Sequence, residues 1–394
     1  MLILLVLVVM AGLSYLVAGI SPEAANAGRE RRTQEAMAQA REALIGYSVS
    51  EASILNAGYL PVPDAGWTTT PEGNSEGTLG ATDISVIGKL PWKTLGYPPL
   101  RDGQGECFWY VVSGRFKNSP KTSVFNWDTP GQIDVIDVGG NPIAYNVAAL
   151  IVAPGAVLDS QSRAIADSAA LIHCGGNYDA RNYLDSYNGS DAVSGEVNYF
   201  GGSTNNRVAP NTDNKRFVLA KNAYYNDRFL FVTADDIYRP IIRRGDFAAQ
   251  IGSLLDDGDF RLQVEPGHPE TIAVSGSGTK GADNINCNNL GNANNRTFCN
   301  NWKEMLLLTQ LSAPSPITVD GVPTVPCARV LIFGGRKTAN QVRSTSGEKS
   351  DKNNYLEAPN LDSFAVPTTS SHNFDGKSQF DPANPGADII RCIS

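Results

Sequence analysis

The sequence predicts an α+β protein in which a long N-terminal helix is followed by antiparallel β-rich lobes. The helix is predicted because residues 1–20 carry no charge and residues 23–47 consist mainly of strong helix formers. The lobes are predicted because short apolar runs such as "CFWYVV" lie between Pro- and Gly-rich turns. The expected segments are 1–55 for the helix, 56–230 for the first lobe and 231–394 for a helix plus a second lobe.

Composition places the chain among globular proteins and limits its partners. With 42% hydrophobic and 18% charged residues, the chain is not a disordered polymer, and 394 residues suffice for ~2 or 3 domains. Acidic residues outnumber basic ones by 40 to 32, which argues against nucleic acid as the main partner.

The first part of the predicted helix is long enough to span a membrane. As a helix, residues 1–20 would be ~30 Å long, which matches the hydrocarbon core of a bilayer. No Lys or Arg precedes this apolar run, unlike in a secretory signal, so Met1 is expected to be a processed end.

The second part, residues 22–50, is predicted to be an amphipathic continuation of the same helix. Apolar residues recur at helical spacing in "EAMAQAREALIGY", while "RERR" marks a charged face. Pro22 separates the two parts and is expected to bend the helix, with further loosening at Gly12 and Gly19.

This arrangement resembles the mature form of a type IV pilin or a type II secretion pseudopilin. The stretch "ISPE" places Pro22 where these subunits carry a helix-bending proline, and Met1 is an acceptable processed and N-methylated end. Leu5 departs from the pattern, since most subunits carry a glutamate there, and this departure favours a minor role. The resemblance implies that filament assembly depends on Met1, Leu5, Gly12, Gly19 and Pro22.

The body of the chain extends the resemblance. The stretches "LPVPD" and "LPWKTLGYPPLRDGQGE" look like the LPCPD, LPW-TLG-PP and D-G-Y pattern of a group of large prepilin-like bacterial proteins. Val62 stands in place of the cysteine of the first motif, so that family's disulfide is not carried over to this chain.

Two halves of the body echo one another in the same order, which predicts a duplicated pilin-like module. The favoured interpretation of the echoed polar residues is an Arg to carboxylate pair that ties a loop to the sheet, and binding of a sugar or a metal is the alternative. The first copy comprises Leu150, Ile151, Gln161, Arg163, Asn182, Tyr183, Leu184, Asp185 and Asn188, and the second comprises Leu331, Ile332, Gln341, Arg343, Asn354, Tyr355, Leu356, Glu357 and Asn360.

Between the two copies the pattern predicts one helix. Thr233 is the expected N-cap, Pro240 the expected kink and Gly258 the expected stop.

Six cysteines predict disulfides in an oxidising compartment, because none of them forms a CxxC pair typical of metal or redox sites. Six cysteines allow ~15 pairings. Closure of the shortest loops costs the least entropy, which favours neighbouring pairs. These pairs are Cys107 with Cys174, Cys287 with Cys299, and Cys327 with Cys392.

Catalytic chemistry is poorly represented, so neither an enzyme nor a cofactor is expected. "GSGTKG" satisfies G-x-G-x-x-G, but the Asn-rich stretch after it is not expected to be helical, as a dinucleotide site requires. The histidines, His173, His268 and His372, lie in no catalytic motif. The acids Asp256, Asp257 and Asp259 are weak calcium candidates beside the simpler interpretation of a solvated helix end. Sequons at Asn188 and Asn295 permit glycosylation.

The leading hypothesis is a structural subunit of an extracytoplasmic pilus-like or pseudopilus filament. Its expected partners are copies of itself or other pilin-like subunits, the assembly machinery, and the inner membrane before assembly. One alternative is a minor tip subunit that binds a surface, a glycan or a secretion substrate through loops at 186–215 and 275–301. Another is a membrane-anchored periplasmic protein that does not polymerise.

Overall fold

The chain is described from a computed structural model. The structure describes residues 3, 6, 9–10, 22–66, 69–158, 161–164, 173–185, 215–221, 225–269, 271–272, 278–357, 360 and 375–394. Two compact units form. Unit 1 comprises 1–48, 59–121 and 130–233, and unit 2 comprises 49–58, 122–129 and 234–394.

The N-terminal segment is described only in part. Ile3, Val6, Val9 and Met10 are helical, and each is more than half exposed. The predicted assembly residues Met1, Leu5, Gly12 and Gly19 lie outside the described residues. Among the positions that are described, no helix combines the length and the apolar character needed to cross a membrane.

Helix α1 extends from Pro22 to Val49. Helix α1 is described from this residue onward. Proline suits the first turn of a helix, because N–H groups there have no partner within the helix and proline has no N–H. One face of α1 is buried, at the helical spacing expected from the sequence. The buried residues are Thr33, Met37, Ala40, Ala43, Leu44 and Ser48.

Polar contacts fix α1 within unit 1. Arg41 Nε donates to the carbonyl of Phe231 at 3.2 Å, and the Thr33 hydroxyl accepts from the Gly103 N–H at 2.8 Å. A Cβ on Gly103 would lie 2.3 Å from the carbonyl oxygen of Arg29. The loop can therefore approach the helix backbone only because residue 103 is glycine.

Unit 1 contains two sheets. The first is antiparallel, in the order β1-β2-β5-β7, and the second pairs β3 with β4 antiparallel and with β6 parallel. The strands are β1 Val86–Lys89, β2 Trp109–Val112, β3 Ile133–Ile136, β4 Pro142–Val147, β5 Ala149–Ala153, β6 Lys215–Val218 and β7 Arg228–Val232. Strands β1, β2 and β5 are buried throughout, and β2 lies in "CFWYVV", which was predicted to be a strand.

Unit 2 opens with three short helices where the sequence predicted one kinked helix. They are α2 Ala234–Ile241, α3 Gly245–Leu255 and α4 Gly258–Val264. Helix α2 ends at Ile241, one residue after Pro240. Gly258 begins α4 rather than ending α3, since the Asp257 side chain accepts from the Phe260 N–H and caps a new helix.

The sheets of unit 2 have the same strand orders as those of unit 1. The larger sheet, read along the chain, is antiparallel in the order β8-β9-β12-β14, and the smaller one pairs β10 with β11 antiparallel and with β13 parallel. The strands are β8 Thr279–Lys280, β9 Leu306–Ser315, β10 Thr318–Val319, β11 Val322–Pro323, β12 Cys327–Phe333, β13 Asp375–Gly376 and β14 Ile389–Ile393.

The Asn-rich stretch after "GSGTKG" is partly helical, which corrects the sequence prediction. Two 3-10 turns, Ala282–Asn284 and Cys287–Asn289, precede helix α5, Ala293–Trp302. The Asn292 side chain caps α5 by accepting from the N–H groups of Asn294 and Asn295. Capping and burial of Phe298, Cys299 and Trp302 outweigh the weak helix propensity of asparagine. A short helix α6, Ser346–Lys349, completes the unit.

Candidate functional site

The predicted disulfides are confirmed. Cys107 is bonded to Cys174, Cys287 to Cys299, and Cys327 to Cys392, with Cα–Cα distances of 5.6, 5.5 and 5.3 Å. The second bridge closes the loop between a 3-10 turn and α5, and the third joins the neighbouring strands β12 and β14.

The three calcium candidates are engaged in separate structural contacts. Asp256 pairs with Arg391 at 2.8 Å, Asp257 caps α4, and an oxygen of Asp259 accepts from the Gly291 N–H at 2.8 Å. Within the described part of the chain, no group of three or more metal-binding side chains occurs. The arrangement therefore supports the interpretation of these acids as a helix boundary.

The remaining sequence motifs are also placed by local structure. His173 pairs with Glu72 at 3.1 Å, and His268 lies 4.0 Å from Glu265, while His372 is outside the described residues. The described end of "GSGTKG" forms β8 and does not open a long helix. Asn295 is 2% exposed and its amide donates to Ser253 and Asp257, so this sequon is inaccessible in the folded chain, whereas Asn188 is not described.

In unit 1 the echoed residues meet around the Arg163 side chain, which we call the first arginine clamp. Arg163 Nε donates to the Asn182 carbonyl at 3.0 Å, and Nη1 donates to the Gly155 carbonyl at 2.8 Å. The guanidinium lies 5.2 Å from the ring centre of Tyr183. The clamp thus joins the end of β5 to the 3-10 turn Ala180–Asn182.

The second arginine clamp, in unit 2, repeats these contacts around Arg343. Its Nε donates to the Asn354 carbonyl at 2.7 Å, and its Nη1 donates to the Gly335 carbonyl at 3.0 Å. The guanidinium lies 4.4 Å from the ring centre of Tyr355. It joins the residues after β12 to the 3-10 turn Lys352–Asn354.

Each clamp arginine also pairs with a carboxylate that the sequence motif does not contain. Arg163 lies 3.4 Å from Glu106, and Arg343 lies 3.5 Å from Asp128. Burial raises the pKa of Asp128, and the Arg343 charge opposes that rise. The motif acids are engaged by the glutamines instead, since Gln161 donates to Asp185 at 3.3 Å and Gln341 donates to Glu357 at 3.0 Å.

A buried lysine lies beside the first clamp in an aromatic cage, which we define as Trp109, Tyr178 and Tyr183. Lys89 is 2% exposed, and its Nζ lies 4.3 Å from the ring centre of Tyr183 and 5.1 Å from that of Trp109. Burial lowers the pKa of Lys89 to about 8, although the charge of Glu106 opposes the shift. Sequence reasoning missed this site because nothing in "VIGKLPW" shows that the rings of Trp109, Tyr178 and Tyr183 surround Lys89.

Unit 2 contains an acidic pocket, whose lining residues include Glu357, Asn360, Asp375, Lys377 and Asp388. It is a cavity of about 380 Å³. Asp388 is 4% exposed, and its Oδ2 accepts from the Asn360 amide at 2.8 Å. Among the described residues, the buried Oδ1 of Asp388 has no hydrogen-bond partner. Glu357 and Asn360 belong to the echoed motif, but the cavity was not predicted from the sequence.

Asp388 is expected to make the stability of unit 2 pH dependent. Burial raises the pKa of Asp388 to about 7, and the charge of Glu357 acts in the same direction. A carboxyl whose pKa is raised on folding stabilises the fold fully below its unfolded pKa of about 4, and this contribution disappears as the pH rises through about 7. The free energy of unfolding should therefore be lower at about pH 8 than at about pH 5, by on the order of a few kcal/mol.

Thermal unfolding at the two pH values measures this difference. Hydrogen exchange in peptides from β12 and β14 then shows whether the difference lies in unit 2. Asp388→Asn should remove most of it, since asparagine keeps the shape and does not titrate. Asp381→Asn, at an exposed position outside the pocket, is the matched control. An unchanged pH dependence in Asp388→Asn would contradict the assignment.

Comparisons with known proteins do not identify a family: no family model, no curated protein and no solved structure matches the chain.

Proposed function

We propose that the chain is a structural subunit of an extracytoplasmic type IV pilus-like or pseudopilus filament. The observation that carries the proposal is the difference in exposure between the described residues before position 11 and helix α1. Ile3, Val6, Val9 and Met10 are helical and exposed in a stretch without charge, whereas α1 buries one face within unit 1. Exposed apolar helices require a lipid or protein partner.

The contact of a helix with an antiparallel sheet in unit 1 supports the proposal, because a helix followed by such a sheet is expected of a pilin-like subunit. Helix α1 contacts the sheet through the hydrogen bond from Arg41 to Phe231 and through an ion pair of Glu30 with Arg228 at 3.1 Å. These partners lie on β7, the edge strand of the four-stranded sheet. In the proposed filament, the apolar segment before α1 packs against the same segment of neighbouring subunits.

We further infer that unit 1 and unit 2 are copies of one module. The sheet orders support this, because β1-β2-β5-β7 and β4-β3-β6 correspond strand by strand to β8-β9-β12-β14 and β11-β10-β13. The two arginine clamps lie at the same place in this order, after the third strand of the larger sheet. The echoed motifs therefore lie on corresponding elements.

Close backbone approaches occur at matching registers of the two sheets, but different segments make them: Asp64, before β1, at Gly88 and Lys349, in α6, at Gly281. Two glycines take the same place when the sheets are aligned. Gly88 comes directly after Ile87, which pairs with Val111 of β2, and Gly281 comes directly after Lys280, which pairs with Leu308 of β9. An added Cβ would lie 2.4 Å from a backbone oxygen at Gly88 and 1.5 Å from one at Gly281. Each position accepts only glycine.

Shear fractionation of the producing cells tests the proposed function. Filaments are sheared from the surface and sedimented, and the chain is detected with an antibody in the filament and membrane fractions. The filament assignment predicts the chain in the sheared fraction, and its loss from that fraction when the assembly ATPase is removed. A chain that stays entirely in the membrane fraction while filaments are present would favour the non-polymerising anchored protein.

A further inference from the structure

Two hairpins carry most of the large apolar side chains that the described part of the chain exposes beyond residue 22. The first apolar hairpin, residues 133–147, joins β3 to β4, and the second apolar hairpin, residues 317–327, contains β10 and β11. Single exposed apolar residues are common on protein surfaces, but a group of them indicates a contact surface. Such a surface therefore occurs at the same place in the strand orders of both units.

In the first apolar hairpin the exposed side chains follow one face of β4. Ile143 and Tyr145 are 45 and 58% exposed, while Ala144 between them packs against the core of unit 1. Because successive strand residues point to opposite faces, Ile143 and Tyr145 share the outer face. The second apolar hairpin exposes Val322 and Val325 by 65 and 66%. Both hairpins thus present apolar side chains where the solvent-facing side of a sheet is usually polar.

The strands concerned lie at sheet edges, since β4 and β11 are the outermost strands of their sheets. Neither strand contains a charged residue, although charges commonly protect an exposed edge. Each contains a proline, Pro142 or Pro323, which has no N–H to donate to a further strand. The contact is therefore expected between side chains and not by extension of the sheets.

The turns of the two hairpins differ in charge. At the first turn the Asp137 carboxylate accepts from the Asn141 amide at 2.9 Å, and within the described ranges it forms no ion pair. At the second turn the hydrogen bond from Ser378 lowers the pKa of Asp320, and the charge of the exposed Lys377 acts in the same direction. The first turn thus presents a carboxylate, whereas the second presents a lysine beside its carboxylate.

We propose that the first apolar hairpin of one copy of the chain packs against the second apolar hairpin of a neighbouring copy. With the turns side by side, Asp137 pairs with Lys377, and Tyr145 covers Val325. The occupant is a second copy because every chain carries both members of this apolar and oppositely charged pair. A contact between two different surfaces leaves one hairpin free at each end, so copies add in a line.

Two hairpins bury little area, so the contact is weak in dilute solution and is expected where copies are held close together. The inference goes beyond the filament proposal, because copies concentrated in a membrane can make the contact without a filament. Shear fractionation tests the filament, whereas the contact is tested on purified chain.

Cross-linking of the concentrated, detergent-purified full chain tests the contact. Tyr145→Cys and Val325→Cys are prepared separately, and all native cysteines are disulfide-bonded. A short bismaleimide should link the two variants when they are mixed, and should link neither variant to itself. In the control mixture, Val157→Cys replaces Tyr145→Cys and should not be linked, because Val157 is 56% exposed outside the hairpins.

Variants of the contact then test its chemistry. Ile143→Lys in the Tyr145→Cys chain should lower the yield of linked pairs about tenfold, since it places a charge in the apolar contact. Asp137→Asn in the same chain keeps an acceptor oxygen for the turn and should also lower the yield. Adding Lys377→Gln to the Val325→Cys chain should lower it no further, because the two changes remove one pair.

Thermal unfolding verifies that each variant is folded. No linked pairs in the mixture, equal yield in the control mixture, or additive losses from Asp137→Asn and Lys377→Gln would overturn the proposal. Self-linking of Tyr145→Cys alone would also overturn it, because like hairpins would then meet in a closed dimer.

Discussion

Val9→Asp is expected to abolish incorporation of the chain into filaments. Val9 is helical, 53% exposed and central in the uncharged N-terminal stretch. In the proposed filament this surface packs against the same segment of other subunits, where a carboxylate would have neither water nor a counter-ion. A charge at the centre of a membrane helix alone costs about 2.5–3.5 kcal/mol on insertion scales.

Immunoblotting of sheared filaments measures incorporation, and membrane fractionation of the same cells verifies that the variant is inserted. Gln39→Asp is the matched control, because it adds the same charge at an exposed position of α1. The control should assemble normally. If Val9→Asp enters filaments as well as the wild type, then the apolar stretch is only an anchor and the filament function is wrong.

The sequence was most informative where a signal is local or repeated. The run "CFWYVV" is apolar and of strand length between turn residues, and it contains the fully buried strand β2, Trp109–Val112. The disulfides were predicted by pairing each cysteine with its neighbour along the chain, which closes the smallest loops, and the structure contains all three predicted pairs.

The sequence was least informative where a contact joins distant segments. The clamp arginines were expected to pair with acids of their own motif, but Glu106 and Asp128 come from upstream segments that carry no echo. Lys89 is surrounded by rings that follow it by 20 to 94 positions. The spacing of apolar residues indicates which face of a helix or strand is buried, but it does not indicate which distant side chain contacts that face.

The Asn-rich stretch shows a second limit of sequence reasoning. Asparagine has a low helix propensity, so α5 was not predicted. Its helix is formed by contacts that propensity ignores: the Asn292 cap, the disulfide of Cys299 and the packing of Trp302 against Phe247 at a 5.0 Å ring separation. Tertiary packing supplies most helix stability in proteins.

Removal of a clamp arginine should cause the largest loss of stability within the folded units. Arg343→Met keeps much of the side-chain volume but removes the largest positive charge acting on the buried Asp128, and leaves the carbonyls of Asn354 and Gly335 without their donor. Breaking a buried pair by removing one partner costs about 3–5 kcal/mol. If the units are copies of one module, then Arg163→Met should cost unit 1 a similar amount.

Hydrogen exchange of the full chain, resolved by peptide, separates the two effects. Arg343→Met should reduce protection mainly in β12, and Arg163→Met mainly in β5, because each clamp is attached to the end of that strand. Arg31→Met is the control, since Arg31 forms an exposed pair with Glu35 and such pairs contribute about 0–1 kcal/mol. Adding Asp128→Asn to Arg343→Met should restore part of the stability, because it removes the buried charge that has lost its largest opposing charge. A loss in Arg343→Met no larger than in Arg31→Met would show that the clamp does not hold the unit together.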